Sequence, residues 1–527
     1  PAPPCSHRKI SMVATLSINS TTLGQVLRPA AFFGAPFLAA FIMLFADLDP
    51  ENPAVTYTLA VAVLMALWWV TEIVPLAITS LLPIVLFPAF GIMNGREVST
   101  TYFNHVIFLF IGGFLVALAI QKWGLHKRIA LRTLKVVGSS PARILLGFMF
   151  ATAFLSMWIS NTATAMLMVP ILLSIITKLE EINGKALVKH FAIGLLLSIA
   201  YSASIGGVAT LVGTPPNLSF ARIFQIYFPQ APEISFATWF FYAFPMTLIL
   251  FVILFLYLYI IFVRRKKNWK SLSRKEVSAE YLALGKKSFE EKVLLGAFIL
   301  LAVLWFFRAD IGFGAYQIPG WSNWFKYPEF FNDGTVAIFV AVLLFIVPSR
   351  SRPGSFIMDW KAAEEIPLEI ILLFGGGFAL ASGFKESGLY LWFGELLQWL
   401  SGMHPLVLIL CICLLVTFLT EVTSNTATVE TLLPILAGLA VSIETNPLLF
   451  MLPATIAGSL AFMLPVATPP NAIIFGSKRI SVIQMARTGF MLNLIGIVLV
   501  AVITYYLGTF IFDISPGVFP DWARIGN

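Results

Sequence analysis

Charge is scarce in this chain. Asp, Glu, Lys and Arg together make up 11% of its residues, against 59% hydrophobic ones. A water-soluble protein of 527 residues would not stay dispersed with so little charge, so the class is a polytopic membrane protein. Cysteine is almost missing too: Cys5, Cys411 and Cys413 lack metal-ligand context and imply no disulfide framework. None of the five His has a partner at metal-ligand spacing. Gly375-Gly376-Gly377 is no phosphate loop, because no strand precedes it and no Lys-Ser/Thr follows; close helix packing is its expected role. No acid/base pair or metal cluster points to an enzyme, and no organic cofactor is implied. A cleavable signal is not evident either, since Arg8 and Lys9 lead into a mixed polar stretch and the first long apolar run starts near Pro29. Asn19-Ser20-Thr21 is a formal glycosylation sequon on the side expected to be cytoplasmic, so it is read as unused.

Apolar runs are what the chain has in quantity. They lie near 29–47, 55–73, 75–91, 105–122, 163–178, 189–212, 236–263, 291–307, 333–348, 367–384, 428–444, 448–466 and 486–512. About eleven are expected to be full spans of ~20 residues. Thirteen Trp and forty-eight Phe suit a lipid-facing surface with interfacial anchors. Two further runs, 141–159 and 405–422, stop at a polar phrase and return as a second run. That pattern reads as a re-entrant hairpin, whose irregular tip is tolerated at membrane depth only inside protein or against a cavity.

The two polar phrases are nearly the same. Residues 160–172 read SNTATAMLMVPIL and residues 424–436 read SNTATVETLLPIL, each followed by Thr-Pro-Pro-Asn, at Thr214–Asn217 and Thr468–Asn471. Ser160 and Ser424 are 264 positions apart (424 − 160), and so are Gly112 and Gly376, Gly124 and Gly388, Phe154 and Phe418, and Pro170 and Pro434. One offset over that many landmarks identifies an internal duplication.

Charge gives the orientation of the copies. Before its hairpin the first copy carries Lys127, Arg128, Arg132, Lys135 and Arg143, whereas 388–407 in the second has no Lys or Arg, only Glu395 with Trp392 and Trp399. By the positive-inside rule the first stretch is cytoplasmic and the second external, so the repeats are inverted. The densest basic segment, from Arg264, Arg265, Lys266 and Lys267 through Lys270, Arg274, Lys275, Lys286 and Lys287, joins the halves on the cytoplasmic side. The net charge of +8 is therefore a topology signal and implies no nucleic acid.

Matched polar breaks in two halves of one chain point to a transporter's binding site. Helix N-termini expected at Ala163 and Ala427 would aim free N–H groups at the midplane. Asn161, Thr162, Asn425 and Thr426 add donors for a carboxylate. Backbone carbonyls freed by the Pro-Pro turns, with Ser, Thr and Asn oxygens, suit Na⁺. The set contains no Lys or Arg, so a bound anion needs cations beside it in low dielectric, which argues for cation-coupled anion transport. Glu72 is expected to be structural at a helix end, with a gating role as the alternative; Glu421 and Glu430 flank only the second tip, which suggests roles outside the shared site, with proton coupling as the alternative.

The paired Ser-Asn-Thr phrases, the paired Thr-Pro-Pro-Asn turns and WWVTEIVPLAITSLLP at 68–83 resemble the divalent anion/sodium symporter family of di- and tricarboxylate carriers, from about residue 28 to 512. The resemblance implies a homodimer whose protomers have a scaffold and an elevator-type transport domain, importing succinate, fumarate or malate with several Na⁺. It implies one sodium site at Ser156, Ser160, Asn161 and Gly213, and a mirror at Thr420, Thr423, Asn425 and Ala467, Thr423 through its carbonyl. Substrate would meet Ser160, Asn161, Thr162, Ser424, Asn425 and Thr426, with Thr468 and Pro469 beside them. Some relatives exchange dicarboxylates without sodium, which is the rival reading; an anion channel and an intramembrane enzyme are the others.

The expected architecture is an all-α carrier of a bacterial inner membrane. It has a cytoplasmic segment at 1–27, scaffold helices at 28–104, a first repeat at 105–263 and a basic linker at 264–290. Scaffold helices and loops follow at 291–366, then a second repeat at 367–512 and an external tail at 513–527.

Overall fold

The structure is a computed structural model that describes residues 22–138, 140–264, 281–313, 316–515 and 517–524. Cys5, Arg8, Lys9, the Asn19 sequon and the linker residues Arg265, Lys266, Lys267, Lys270, Arg274 and Lys275 lie outside the described residues.

Helices dominate. The N-terminal group is α1 (Thr22–Phe45), α2 (Pro53–Thr71), α3 (Leu76–Thr79), α4 (Leu82–Ala89) and α5 (Gly95–Thr101). The first copy follows as α6 (His105–Lys122), α7 (Leu125–Val137), α8 (Pro141–Ser156), α9 (Asn161–Asn183), α10 (Lys185–Val208), α11 (Pro215–Tyr227) and α12 (Phe236–Leu258). Between the copies lie α13 (Phe289–Phe306), an antiparallel ribbon of β1 (Ile311–Phe313) and β2 (Tyr316–Ile318), α14 (Asp333–Ile346) and α15 (Trp360–Ala363). That ribbon is a small exception to the all-helical expectation. The second copy comprises α16 (Leu368–Ser387), α17 (Leu389–Leu396), α18 (Pro405–Thr420), α19 (Asn425–Ser442), α20 (Leu448–Ala457), α21 (Pro469–Gly476) and α22 (Val482–Ile503), with a last turn α23 (Thr509–Ile511).

Eight helices among the described residues are long and apolar enough to cross a membrane, and six shorter apolar ones accompany them. The run at 75–91 is not one span: it breaks between α3 and α4. There Ser80 Oγ donates to the Leu76 carbonyl, Trp69 Nε1 to Ser80 Oγ and Tyr102 Oη to the Ser80 carbonyl, while Pro83 has no N–H to continue the ladder. The run at 448–466 likewise stops being helical at Ala457.

The duplication is visible in the element bounds. Helices α8 and α18 are each 16 residues long, running from Pro141 and Pro405, and α9 and α19 open at Asn161 and Asn425, all at the offset of 264. Sixteen residues rise about 24 Å, less than a hydrocarbon core of ~30 Å. Helix α10 is the centre of the molecule, with every residue from Phe191 to Val208 buried. Small residues let neighbours close on it: a Cβ on Gly206 would stand 2.3 Å from the Ala153 carbonyl of α8. The copies also exchange contacts, α11 packing on α19 and α21 on α9.

Outside this apolar body, α7 presents Lys127, Arg128, Arg132 and Lys135, four of the five basic residues ahead of the first hairpin. Its buried Arg128 donates through Nε to Glu291 at 2.6 Å and through its other nitrogens to the Gly285 and Leu284 carbonyls, tying α7 to the start of α13. Lys122 reaches Asp359 at 2.8 Å, and the Asp359 carboxyl is held below its ordinary value by that bond and by the Ala362 N–H.

Candidate functional site

Each tip begins as a short helix that ends at a hydroxyl. Ser156 closes α8 and is fully buried; its Oγ lies 2.5 Å from Asn161 Oδ1 and 2.7 Å from the Ala203 carbonyl of α10. Thr420 closes α18 and is equally buried, with Oγ1 2.6 Å from Asn425 Oδ1 and 3.0 Å from the Gly458 carbonyl. A hydroxyl has one proton and cannot donate to two oxygens at once. Three converging oxygens with one proton among them form a patch that suits a hard cation.

The tip helices start two residues earlier than the sequence pattern suggested, at Asn161 and Asn425 instead of Ala163 and Ala427, so both amides sit in the first turn. Ser160 is the N-cap of α9 and accepts the Ala163 N–H at 3.3 Å; Ser424 occupies the same place on α19 without a side-chain cap bond. Thr162 is half-buried and Thr426 buried, each next to its Asn. Thr423 is buried and its hydroxyl is taken up locally, 2.9 Å from the Leu419 carbonyl and against Thr428 Oγ1. Asn161 rests on α10: a Cβ at Gly207 would lie 2.4 Å from Asn161 Oδ1.

The opposite wall is unwound backbone, 209–214 in the first copy and 458–468 in the second. Here the offset falls from 264 to 254 (471 − 217). Asn217 Nδ2 donates to the Gly207, Val208 and Thr210 carbonyls, at 3.3, 3.3 and 2.7 Å. Asn471 Nδ2 donates to the Ala461 and Leu464 carbonyls at 3.2 and 3.0 Å. Gly213 N–H bonds the Thr210 carbonyl as Ala467 N–H bonds that of Leu464, so the two residues named for the sodium sites hold the same place. Thr468 caps α21 and accepts the Asn471 N–H at 3.4 Å, whereas the Thr214 hydroxyl caps nothing; Pro469 is exposed beside it.

One tie between tip and wall uses different chemistry in the two copies. Thr210 Oγ1 donates to the Met157 carbonyl at 2.5 Å. At the positions equivalent to Met157 and Thr210, the Glu421 carboxylate accepts the N–H groups of Phe462, Met463 and Leu464 and the amide of Asn493, at 2.7–3.0 Å. Glu421 is therefore an anchor for unwound backbone. Glu72 is an exposed left-handed cap ending α2, as its place at a helix end suggested. Gly376 packs against Ser80 and Gly377 against Glu430, so the triple glycine serves helix packing.

Several buried oxygens around these walls have no partner among the described residues: Asn217 Oδ1, Asn471 Oδ1, Ser202 Oγ, Ser204 Oγ and Ser459 Oγ. Each would cost a few kcal/mol if nothing polar met it. The sequence pattern marked the Thr-Pro-Pro-Asn turns but valued their prolines; the Asn side chains, which hold the wall in shape, were missed. Their repetition in both turns was the signal.

Relatives are close and cover most of the chain. The sodium-dependent dicarboxylate transporter SdcS of Staphylococcus saprophyticus is 42% identical over 481 residues, covering 90% of this chain and 90% of that protein. The SdcS of Staphylococcus aureus strain RF122 is 43% identical over 480 residues, covering 90% of this chain and 89% of that one. Among solved structures, the Neisseria gonorrhoeae MtrF transporter aligns with a TM-score of 0.54 at 12% identity, over 91% of this chain and 97% of its own. The Alcanivorax borkumensis YdaH transporter aligns with a TM-score of 0.51 at 13% identity, over 77% and 85%. These two speak to the fold alone. Residues 37–513 match the sodium:sulfate symporter transmembrane region, and the chain belongs to that family of membrane transporters.

Proposed function

We propose that this protein is a secondary active transporter that carries C4-dicarboxylates such as succinate, fumarate and malate together with Na⁺. The observation that carries the reading is the pair of oxygen clusters, Ser156–Asn161–Ala203 and Thr420–Asn425–Gly458, at two tips related by duplication. Relatives named as sodium-dependent dicarboxylate transporters support it. One cation sits with Ser156, Ser160, Asn161 and the Gly213 carbonyl. The other sits with Thr420, Asn425 and the carbonyls of Thr423 and Ala467. Ser160, Asn161, Thr162, Ser424, Asn425, Thr426, Thr468 and Pro469 face the dicarboxylate between them. With no Lys or Arg in this set, the cations supply the countercharge, and coupling follows from electrostatics.

The finer architecture belongs to the same reading. Helices α8 and α18 are too short to span and form re-entrant hairpins with α9 and α19, in two inverted repeats within about eleven spans. Residues 28–104 and 291–366 contribute to a scaffold, while the hairpins and unwound walls at 105–263 and 367–512 carry the site in an elevator movement. The protein works as a homodimer in a bacterial inner membrane, with 1–27 and the linker 264–290 cytoplasmic and the tail 513–527 external.

Radiolabelled succinate uptake into proteoliposomes, under an inward Na⁺ gradient or an equal K⁺ gradient, tests the reading. Accumulation under Na⁺ alone is expected. Uptake that ignores Na⁺ and requires internal dicarboxylate would make the protein an exchanger.

A further inference from the structure

Glu430 is polar, completely buried, and belongs to neither half-site. It lies on α19, five residues after Asn425. Its Oε1 accepts the Ser219 hydroxyl at 2.7 Å, and its Oε2 has no partner among the described residues. Ser219 lies on α11, two residues after Asn217. One hydrogen bond thus joins the helix that opens at the second tip to the helix that opens at the first Thr-Pro-Pro turn. The third wall is Gly377 of α16, where a Cβ would stand 2.3 Å from the Glu430 carboxyl carbon. None of the ion pairs among the described residues includes Glu430.

The duplication supplies a built-in comparison. By the offsets of 264 and 254, the counterparts of Glu430 and Ser219 are Met166 and Ile473. Both counterparts are apolar and Met166 is exposed, so α9 and α21 carry no polar pair at these two positions; their polar tie lies elsewhere, between Glu180 of α9 and Arg479 just past α21. Among the described residues the Ser219–Glu430 link therefore has no counterpart in the other half. An acid retained deep in an apolar body is costly, and such groups are kept where they act.

We propose that Glu430 is a positioning residue that couples the two half-sites through Ser219, so that ligation at the second tip sets the geometry of the first Thr-Pro-Pro wall. Among the described residues, no other hydrogen bond or ion pair gives the second tip a direct polar hold on the first wall. The inference rests on the sodium-symport reading, and it makes sodium binding cooperative through a named contact instead of through bulk movement.

The test uses the full chain in proteoliposomes, with Ser219→Ala, Glu430→Ala, Glu430→Gln and the Ser219→Ala/Glu430→Ala double variant. Half-saturating Na⁺, the Hill coefficient for Na⁺, succinate KM and kcat are measured at equal reconstituted protein. Each alanine variant is expected to raise half-saturating Na⁺ by about fivefold or more and to lower the Hill coefficient. The double variant should be no worse than the worse single one, and Glu430→Gln, which keeps an acceptor, should stay near wild type. If Glu430→Ala does not fold, Ser219→Ala, which removes one hydroxyl, carries the test. Unchanged sodium curves with only kcat reduced would overturn the coupling and leave Glu430 as packing. A wild-type protein indifferent to Na⁺ would instead remove the symport reading. The coupling would then be decided by succinate KM, shifted in concert by the alanine variants or left alone.

Discussion

Asn217 and Asn471 fasten equivalent stretches of backbone in the two halves of the molecule. Both are fully buried, and both turn the amide nitrogen onto carbonyls that correspond one to one, Gly207 with Ala461 and Thr210 with Leu464. The nitrogens are thereby committed, and the amide oxygens are left without a partner among the described residues.

Asp in either place would set a carboxylate against those carbonyls and remove the donors. Asn217→Asp and Asn471→Asp should each cut succinate uptake at limiting Na⁺ at least about tenfold, equivalent to ~1.4 kcal/mol. Uptake within twofold of wild type in both would show that the unwound walls do not need this fastening.

Thr420 faces Asn425 Oδ1 and the Gly458 carbonyl through one hydroxyl. Thr420→Ala should raise half-saturating Na⁺ while Thr420→Ser, which keeps the hydroxyl, should restore it. Losing one cation-facing oxygen is expected to cost about 1–3 kcal/mol of binding. A sodium titration indistinguishable between wild type and Thr420→Ala would break the mirrored-cluster argument, since Ser156 repeats the arrangement at the other tip.

How much was legible in the sequence follows from the same residues. The offset of 264 carries straight into helix starts at Pro141 and Pro405, Asn161 and Asn425, because Pro at the first turn and a polar break are local signals. Hydropathy, however, reports burial and not helicity. The apolar run at 448–466 unwinds after Ala457 because the Glu421 carboxylate, distant in sequence, satisfies the N–H groups of residues 462–464. In the 75–91 run Pro83 and the Ser80 bond to the Leu76 carbonyl are local, and only the Tyr102 hydroxyl on the Ser80 carbonyl comes from a distance. Such long-range polar replacements leave no periodic trace, and neither does the Ser219–Glu430 contact.

Glu421 gives a prediction about stability. Its two oxygens collect four donors, three of them backbone N–H groups of the unwound segment. Glu421→Gln keeps one acceptor and turns an NH₂ group towards the remaining donors. Melting of the purified protein in detergent should show a loss of about 1.5–3 kcal/mol, the range for a hydrogen bond to a charged group. An unchanged melting temperature would mean that the segment holds its shape without the carboxylate.

Glu290, at the start of α13, supplies the pH dependence. Burial alone would raise its pKa, but hydrogen bonding from Ser351, side chain and N–H, and from the Ser349 hydroxyl outweighs burial and holds the carboxyl well below the usual carboxylate range. The folded value lies below the unfolded one, so the stabilisation is present at neutral pH and is lost as pH falls through the folded value. Glu290→Gln should therefore melt lower than wild type at pH 7, with the gap narrowing on acidification below about pH 4. A gap that stays constant from neutral to strongly acid pH would assign the effect to packing.

Gly213 and Ala467 test whether equivalent positions have equivalent freedom. A Cβ on Gly213 would stand 2.4 Å from the Gly207 carbonyl oxygen, and that contact is with backbone, which cannot swing aside as a flexible side chain does. In the second copy the same position already carries the Cβ of Ala467, in a wall where Ala461 replaces Gly207. The second wall thus accommodates a methyl group where the first has none. Gly213→Ala must push the Gly207 carbonyl away, and with it the residue against which Asn161 rests. Uptake by Gly213→Ala should fall at least about tenfold, a shift worth ~1.4 kcal/mol, while Ala467→Gly should stay within about threefold of wild type. Equal sensitivity at both positions would mean that the carbonyl, and not the space around it, sets the requirement. Tolerance at both would detach this wall from the tip it faces.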